Sequence, residues 1–405
     1  MKFRPPPMQP AFSGTGHLVI WIAALAAILL SPILATFVVS PETRYLVMSK
    51  RVGPSDWHMN QILKETGALD ILFLGNSRML TAIDHTVLRE EVHTPGAPLK
   101  SETIAANFNG YDMTYTFLTD FFAHRHARLV VINYPDFPQI DTHPAEKYVR
   151  RLGQPDPGLD IRRANLAITN YAEMALIGPR LALASIIRPG SISRLGYRSI
   201  ENLTDLEQTQ GSWVPDEGYQ ENKDSPRAAF VRYQSPDSPR PAVTIRPGGS
   251  IPPGMVLTDG ALTPIESAYL PAIKALCEKN GAALAILMLP MTNSQGPTEV
   301  SRQVVALGIP IVAASLESMF GEIPTERIKE NYFDHIHFNA NGARRSAEVY
   351  GPALQALLQR TGGLTNAPLP PDPWRVFRRY RLITIAWPLR LCKTIRPLSG
   401  SCAST

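Results

Sequence analysis

Residues 18–40 read LVIWIAALAAILLSPILATFVVS, 23 residues without a charged side chain. A helix is the form in which such a run satisfies its own backbone groups in lipid. At 1.5 Å per residue it reaches about 34 Å, against a hydrocarbon core of about 30 Å. The run is longer than the roughly 7–15 residues of a signal-peptide core, and no A-x-A cleavage site follows it. The expectation is therefore a single uncleaved transmembrane anchor at 18–40, with a cleaved signal as the alternative. Lys2 and Arg4 precede the run while Arg44, Lys50 and Arg51 follow it, so the positive-inside count leaves the orientation open. A short N-terminal anchor ahead of a large domain usually exports that domain. On that ground 1–17 is expected to be cytoplasmic, with the chain held in the cytoplasmic (inner) membrane and its domain on the outer, periplasmic or extracellular, face.

The remainder is long enough, in a chain of 405 residues, to bury a sizeable core. With 44% hydrophobic and 19% charged residues it is neither a disordered tail nor a many-spanning transporter. Cys277, Cys392 and Cys402 lie far apart with no CxxC pair, which excludes a disulfide framework and a cysteine-built zinc site. From Trp374 to the end there are seven Arg or Lys and no acid. Setting these and Lys2 and Arg4 aside takes the net charge from +5 to −4 for the body. Basic ends on a mildly acidic body argue against a nucleic-acid partner and for ends that face anionic lipid.

After the anchor, short apolar runs alternate with amphipathic helical stretches, the pattern of an α/β fold with a central parallel sheet. Five strands are expected, at Asp70–Leu74, Thr103–Asn107, Leu129–Ile132, Ala283–Leu289 and Pro310–Ala314. Helices are expected at Tyr111–His124, Pro264–Lys279, Pro297–Leu307 and Asn341–Arg360. The domain is placed at 41–365, with insertions near 140–205 and 204–260. Within the first insertion, Ala164–Ile187 is mostly apolar, but Glu173 and Arg180 speak against a second span, and a packed helical hairpin is expected. The stretch 204–254 is rich in Pro, Gly, Asp and Ser and carries Trp213, Tyr219, Phe230 and Tyr233, which suit either stacking on sugar rings or lining the main domain. The tail, 366–405, includes a basic and partly amphipathic segment, Trp374–Trp387, suited to a membrane interface or to docking on the domain itself.

Two segments carry chemistry. The first strand runs into ILFLGNSRML, so Ser77 sits at the carboxyl edge of a buried strand, where open α/β sheets place their sites, and Gly75 permits a tight turn. A lone serine there also serves as a helix cap. Near the other end, ENYFDHIHFNANGARRSAEVY holds Asp334 and His337 three residues apart before a helix. A nucleophilic serine needs a base to take its proton and an acid to fix the tautomer of that base, and this pair supplies both, with His335 competing for the base role.

Taken together, a strand followed by GxS at the start of an α/β domain, and D-x-x-H-x-N-x-x-G before its last helix, resembles the SGNH (GDSL-like) hydrolase superfamily over residues 68–360. The resemblance implies a three-layer fold with a five-stranded parallel sheet, Ser77 as nucleophile, His337 as base and Asp334 as the residue that orients it. Its D-x-x-H spacing selects His337 over His335. It further implies an oxyanion hole, for which Gly110 in NFNGYDM and Asn133 in VVINYPDF are the matching positions, although GxND is missing around Asn133 and Asn76 replaces the usual Asp. With a membrane anchor in front, the chain looks like envelope members of the superfamily, among them alginate O-acetylation and teichoic-acid D-alanine-transfer proteins. That implies an esterase or O-acyltransferase acting on an acylated polysaccharide, beside a membrane-bound O-acyltransferase partner, with no cofactor and no metal. The alternatives are a non-catalytic SGNH-fold component that binds glycan or such a partner, and a lipase-like esterase held at the bilayer by its basic tail.

Overall fold

The computed structural model describes residues 14–361 apart from 53–54, 95, 107–108, 135–138, 151–152, 159, 188–254, 293–297 and 322–323. The aromatic-bearing stretch at 204–254 and the basic tail at 366–405 lie outside the described residues, as does most of the N-terminal segment 1–17.

The apolar run forms helix α1, Thr15–Val38, long and apolar enough to cross a membrane, with nearly all of its large side chains exposed. Helices α2 (Pro41–Val52) and α3 (Ser55–Met59) lead into the sheet. Strands β1 (Ala68–Gly75), β2 (Ser101–Ala105) and β3 (His126–Asn133) follow, then β4 (Met255–Thr258), β5 (Ala283–Met288), β6 (Thr298–Ser301) and β7 (Ile311–Ala313). The central sheet has five strands, all parallel, in the order β2-β1-β3-β5-β7. Each of the five strands expected from apolar runs is present, with ends shifted by up to a few residues.

Period-2 alternation sorts the side chains of β1 between two cores. Leu72 and Leu74 join a cluster with Tyr45 and Met48 of α2 and with Phe117 and Tyr269. Phe117 lies on α6 and Tyr269 on α9; between them the helices are α4 (Ser77–Leu80), α5 (His85–Glu91), α6 (Tyr111–Phe122), α7 (Glu146–Val149), α8 (Ile161–Ile187) and α9 (Pro264–Lys279). Ile71 and Phe73 face the other way, onto Leu88 of α5 and Leu354 of the last helix. Helices thus cover both faces, the condition under which an all-parallel sheet is stable. The edge strand β2 is closed by α3, whose Trp57 Nε1 donates to Thr103 O at 3.0 Å and whose His58 Nε2 donates to Ala105 O at 2.9 Å.

Two expectations are corrected. The helix expected over 297–307 is β6 followed by the short helix α10, Arg302–Ala306. Thr298 and Val300 pair in parallel with Met255 and Leu257, a partner too far away in sequence for local periodicity to report, and Ser301 then caps α10 by accepting from Gln303 N at 3.2 Å. The hairpin expected within 164–187 is one continuous 27-residue helix, α8, packed along α1. The C-terminal part contains α11 (Leu316–Phe320), α12 (Thr325–Ile328) and α13 (Ala340–Arg360), the last starting within a residue of the expected Asn341.

Candidate functional site

The strand order reverses between β1 and β3, because β2 lies on one side of β1 and every later strand of the sheet on the other. A crevice opens at such a point beyond the carboxyl ends of the strands. Ser77 follows β1 there, and Asn133 is the last residue of β3. The cap of α4 is Asn76, whose side-chain oxygen accepts from Arg78 N at 3.0 Å. Ser77 is therefore not spent on capping. Its Oγ lies 2.8 Å from His337 Nε2, and His337 Nδ1 lies 2.7 Å from Asp334 Oδ2. The carboxylate can only accept, so Nδ1 carries the proton and Nε2 is left to accept from the serine hydroxyl. His335 is exposed, and its backbone carbonyl accepts from Thr292 N at 3.1 Å.

The loop that presents the pair is pinned locally. Asp334 Oδ1 accepts from Ile336 N at 2.9 Å and from His337 N at 2.8 Å, an Asx-type turn that points Oδ2 at the imidazole. Burial pushes the Asp334 pKa up, but the hydrogen bonds from the His337 ring and from both backbone amides outweigh it and hold the carboxyl below its ordinary value. Asn339 caps α13 by accepting from Asn341 N and Gly342 N, while its amide donates to Glu330 O and Tyr332 O. Gly342 is needed because a Cβ there would lie 2.1 Å from Asn331 O. The Asn and Gly of D-x-x-H-x-N-x-x-G thus close the turn that holds the Asp and His.

On the strand side, Gly75 lies under Asn133. A Cβ on Gly75 would sit 1.9 Å from Asn133 Oδ1, so close approach rather than turn conformation demands the glycine. Asn133 Oδ1 accepts from Asn76 N at 3.1 Å, which brings Asn133 to the turn just ahead of Ser77. Among the described residues its amide group has only a long contact, 3.5 Å, to Tyr134 O. Gly110 is the N-cap of α6, with the Gln139 carboxamide against its Cα, where any Cβ would clash. Among the described residues, no hydrogen bond joins Gly110 to Ser77 or His337.

Two further residues of the site belong to no motif of the sequence. Asn109, beside Gly110, donates from Nδ2 to Gly75 O at 2.8 Å and ties the end of β1 to the loop after β2. Arg78 is buried directly behind Ser77, and its guanidinium donates to Ile336 O at 3.2 Å, to Pro290 O at 3.1 Å and to Leu289 O. Burial lowers the Arg78 pKa to about 10, opposed by Tyr332, Tyr350 and Asp334, so it stays charged near neutrality. One cation thereby joins the serine turn, the end of β5 and the Asp334–His337 loop. The only signal in the sequence is an arginine right after the serine of a buried strand's turn, where a surface cation would be the ordinary reading.

Among the described residues no group of three or more His, Cys, Asp or Glu side chains gathers in a way that would hold a metal ion. The arrangement can deliver a serine oxygen as a nucleophile, accept its proton and stabilise the imidazolium that results. A scan against protein-family models and searches of curated proteins and of solved structures give no match to this chain.

Proposed function

We propose that the chain is a membrane-anchored serine esterase or O-acyltransferase of the SGNH type, acting on O-acyl groups of a cell-envelope polysaccharide. The observation that carries this is the 2.8 Å and 2.7 Å relay from Ser77 Oγ through His337 to Asp334. Support for the SGNH assignment comes from a five-stranded parallel sheet with the serine after its first strand, and from the Asp, His, Asn and Gly of one motif closing a single turn before the last helix.

In this mechanism Ser77 Oγ attacks the acyl carbonyl carbon as its proton passes to His337 Nε2. The tetrahedral intermediate collapses, the ester C–O bond breaks, and His337 returns the proton to the departing oxygen. A glycan hydroxyl or water, deprotonated in turn by His337, then takes the acyl group and frees the serine. Asp334 keeps the imidazole in its tautomer and offsets its charge. The oxyanion would be met by the Ser77 backbone N–H and by the amide of Asn133, the end not committed to Asn76, with Gly110 as a third donor. The anchor raises the effective concentration of the domain at a membrane-embedded acyl donor, such as a membrane-bound O-acyltransferase on the outer side of the inner membrane.

A fluorophosphonate probe applied to the full chain in detergent tests the activated serine. Labelling of the wild type and none of Ser77→Ala is expected; equal labelling of both would sink the assignment. A second reading, an SGNH-fold component that binds glycan or a partner without turnover, is favoured by the departures from the family pattern, with GxND missing around Asn133 and Asn76 in place of the usual Asp. It predicts that Ser77→Ala preserves envelope acylation in cells.

A further inference from the structure

Helix α8 carries an exposed apolar stripe that the site chemistry does not use. At 100° per residue Ile161, Ile168, Ala172, Leu176, Pro179 and Leu183 fall within one narrow sector, with Asn165 the one polar side chain among them. Ile161 is 85% exposed, Ile168 67%, Leu176 74% and Leu183 57%. A soluble helix buries this face and exposes the opposite one; here the opposite face holds Met174 and Leu181 in the core, so the helix is apolar on both sides.

The packing of α8 says what the outer face meets. Its contacts with α1 and the residues just after it rise together along both segments: Tyr171 OH donates to Leu29 O, Ser31 Oγ donates to Ala175 O at 3.2 Å, and Ser40 N, just past α1, donates to Ser185 Oγ at 3.3 Å. The two helices run side by side in the same direction, over the part of α1 nearest the folded domain. Their interface is of the kind found between helices in lipid, with small residues in contact and hydroxyls bridging. Gly178 lies against Ala35, where an added Cβ would come within 3.0 Å of the Ala35 methyl group. Arg180 borders the stripe, where its side chain can reach headgroup phosphates, while Arg162, at the start of the helix, pairs with Asp141 of the domain.

We infer that α8 is a second membrane element, its stripe facing the bilayer beside α1, so that the domain is held on the bilayer by two surfaces rather than swinging from one tether. The occupant of the stripe is the bilayer because the stripe continues the exposed surface of a helix that is itself long and apolar enough to cross a membrane. This does not depend on the chemistry proposed for Ser77.

The test uses the full chain in lipid nanodiscs. Single spin labels are placed at Ile168→Cys, Leu176→Cys and, as an exposed reference on α5, Thr86→Cys, with Cys392 and Cys402 changed to Ser and buried Cys277 kept. Labels on α8 are expected to be relaxed more by oxygen than by a water-soluble nickel chelate, and the label at 86 the reverse. Water-like accessibility at 168 and 176 overturns the inference, and so does exclusion of both reagents, which would mean that protein covers the stripe. A diazirine-bearing phospholipid gives a second measurement on the unmodified chain. Peptide mapping should find adducts on both α1 and α8; their absence from α8, with or without adducts on α1, overturns it.

Discussion

The base side and the carbonyl side of the proposed site are built in opposite ways. On the base side, Asp334, His337, Asn339 and Gly342 belong to one stretch of chain, and almost every bond that fixes them spans a few residues. On the carbonyl side, Asn133 reaches Asn76 across 57 residues, Asn109 reaches Gly75 across 34, and Arg78 reaches Leu289 across 211. A local device constrains its own geometry whatever surrounds it. A device of distant parts has the geometry only when the sheet has assembled.

That contrast orders the expected effects of substitution, read as turnover of an activated acyl ester. Ser77→Ala removes the proposed nucleophile and should cost about 10⁴-fold or more, with the fold kept because the hydroxyl makes no bond that α4 needs. Asp334→Asn should cost about 10³- to 10⁴-fold, because the amide stabilises the wrong tautomer of His337. Asn133→Ala should cost about 10²- to 10³-fold if its amide meets the oxyanion, and Gly75→Ala should fall in the same range by pushing Asn133 aside. If Gly75→Ala is silent while Asn133→Ala is not, the close approach under Asn133 is not what aligns it. Arg78→Met leaves the Leu289, Pro290 and Ile336 carbonyls without their donor, and a thermal melt in detergent should show a loss of about 2–4 kcal/mol. Arg78→Lys should recover little, since one ammonium cannot span three carbonyls from two segments.

The smallest effect is a pH dependence that belongs to the scaffold. Burial lowers the pKa of His58 to about 4 and of His85 to about 3, while burial raises that of Glu146 to about 7. Each histidine binds fewer protons folded than unfolded, so its contribution is lost as pH falls below about 6.5, by roughly 2 kcal/mol each between pH 7 and 5. Glu146 binds more protons folded than unfolded, so its contribution rises over the same window by about 2 kcal/mol. The wild type should therefore lose about the equivalent of one histidine on mild acidification, and Glu146→Gln about twice that. Melts at pH 7 and pH 5 measure both; an unchanged difference in Glu146→Gln would show that Glu146 does not titrate there.

The same contrast explains what was legible in the amino-acid sequence. Buried parallel strands such as Leu129–Ile132 announce themselves as continuous apolar runs, and Pro264–Lys279 matches its helix because Thr263 and Glu266 close a capping box around a leading proline. Asp334 and His337 were legible because their partnership is an i,i+3 relation. Arg78 and Asn109 were not, because a buried donor is recognised only by the distant carbonyls it serves. The strand at Thr298–Ser301 was hidden for the same reason, since its partner lies at Met255–Thr258. Gly75 was legible as a necessary glycine, but for the wrong reason: its neighbour Asn133 comes from another strand.

The proposed chemistry requires that Ser77 become acylated. Full-length protein in detergent, incubated with an activated acetyl ester and followed by intact mass, should gain one acetyl group that maps to Ser77, is absent in Ser77→Ala and disappears faster when a glycan acceptor is added. Folded wild-type protein that turns over no ester and gains no acetyl group, or gains one equally in Ser77→Ala, would contradict a serine acyl-enzyme at this site.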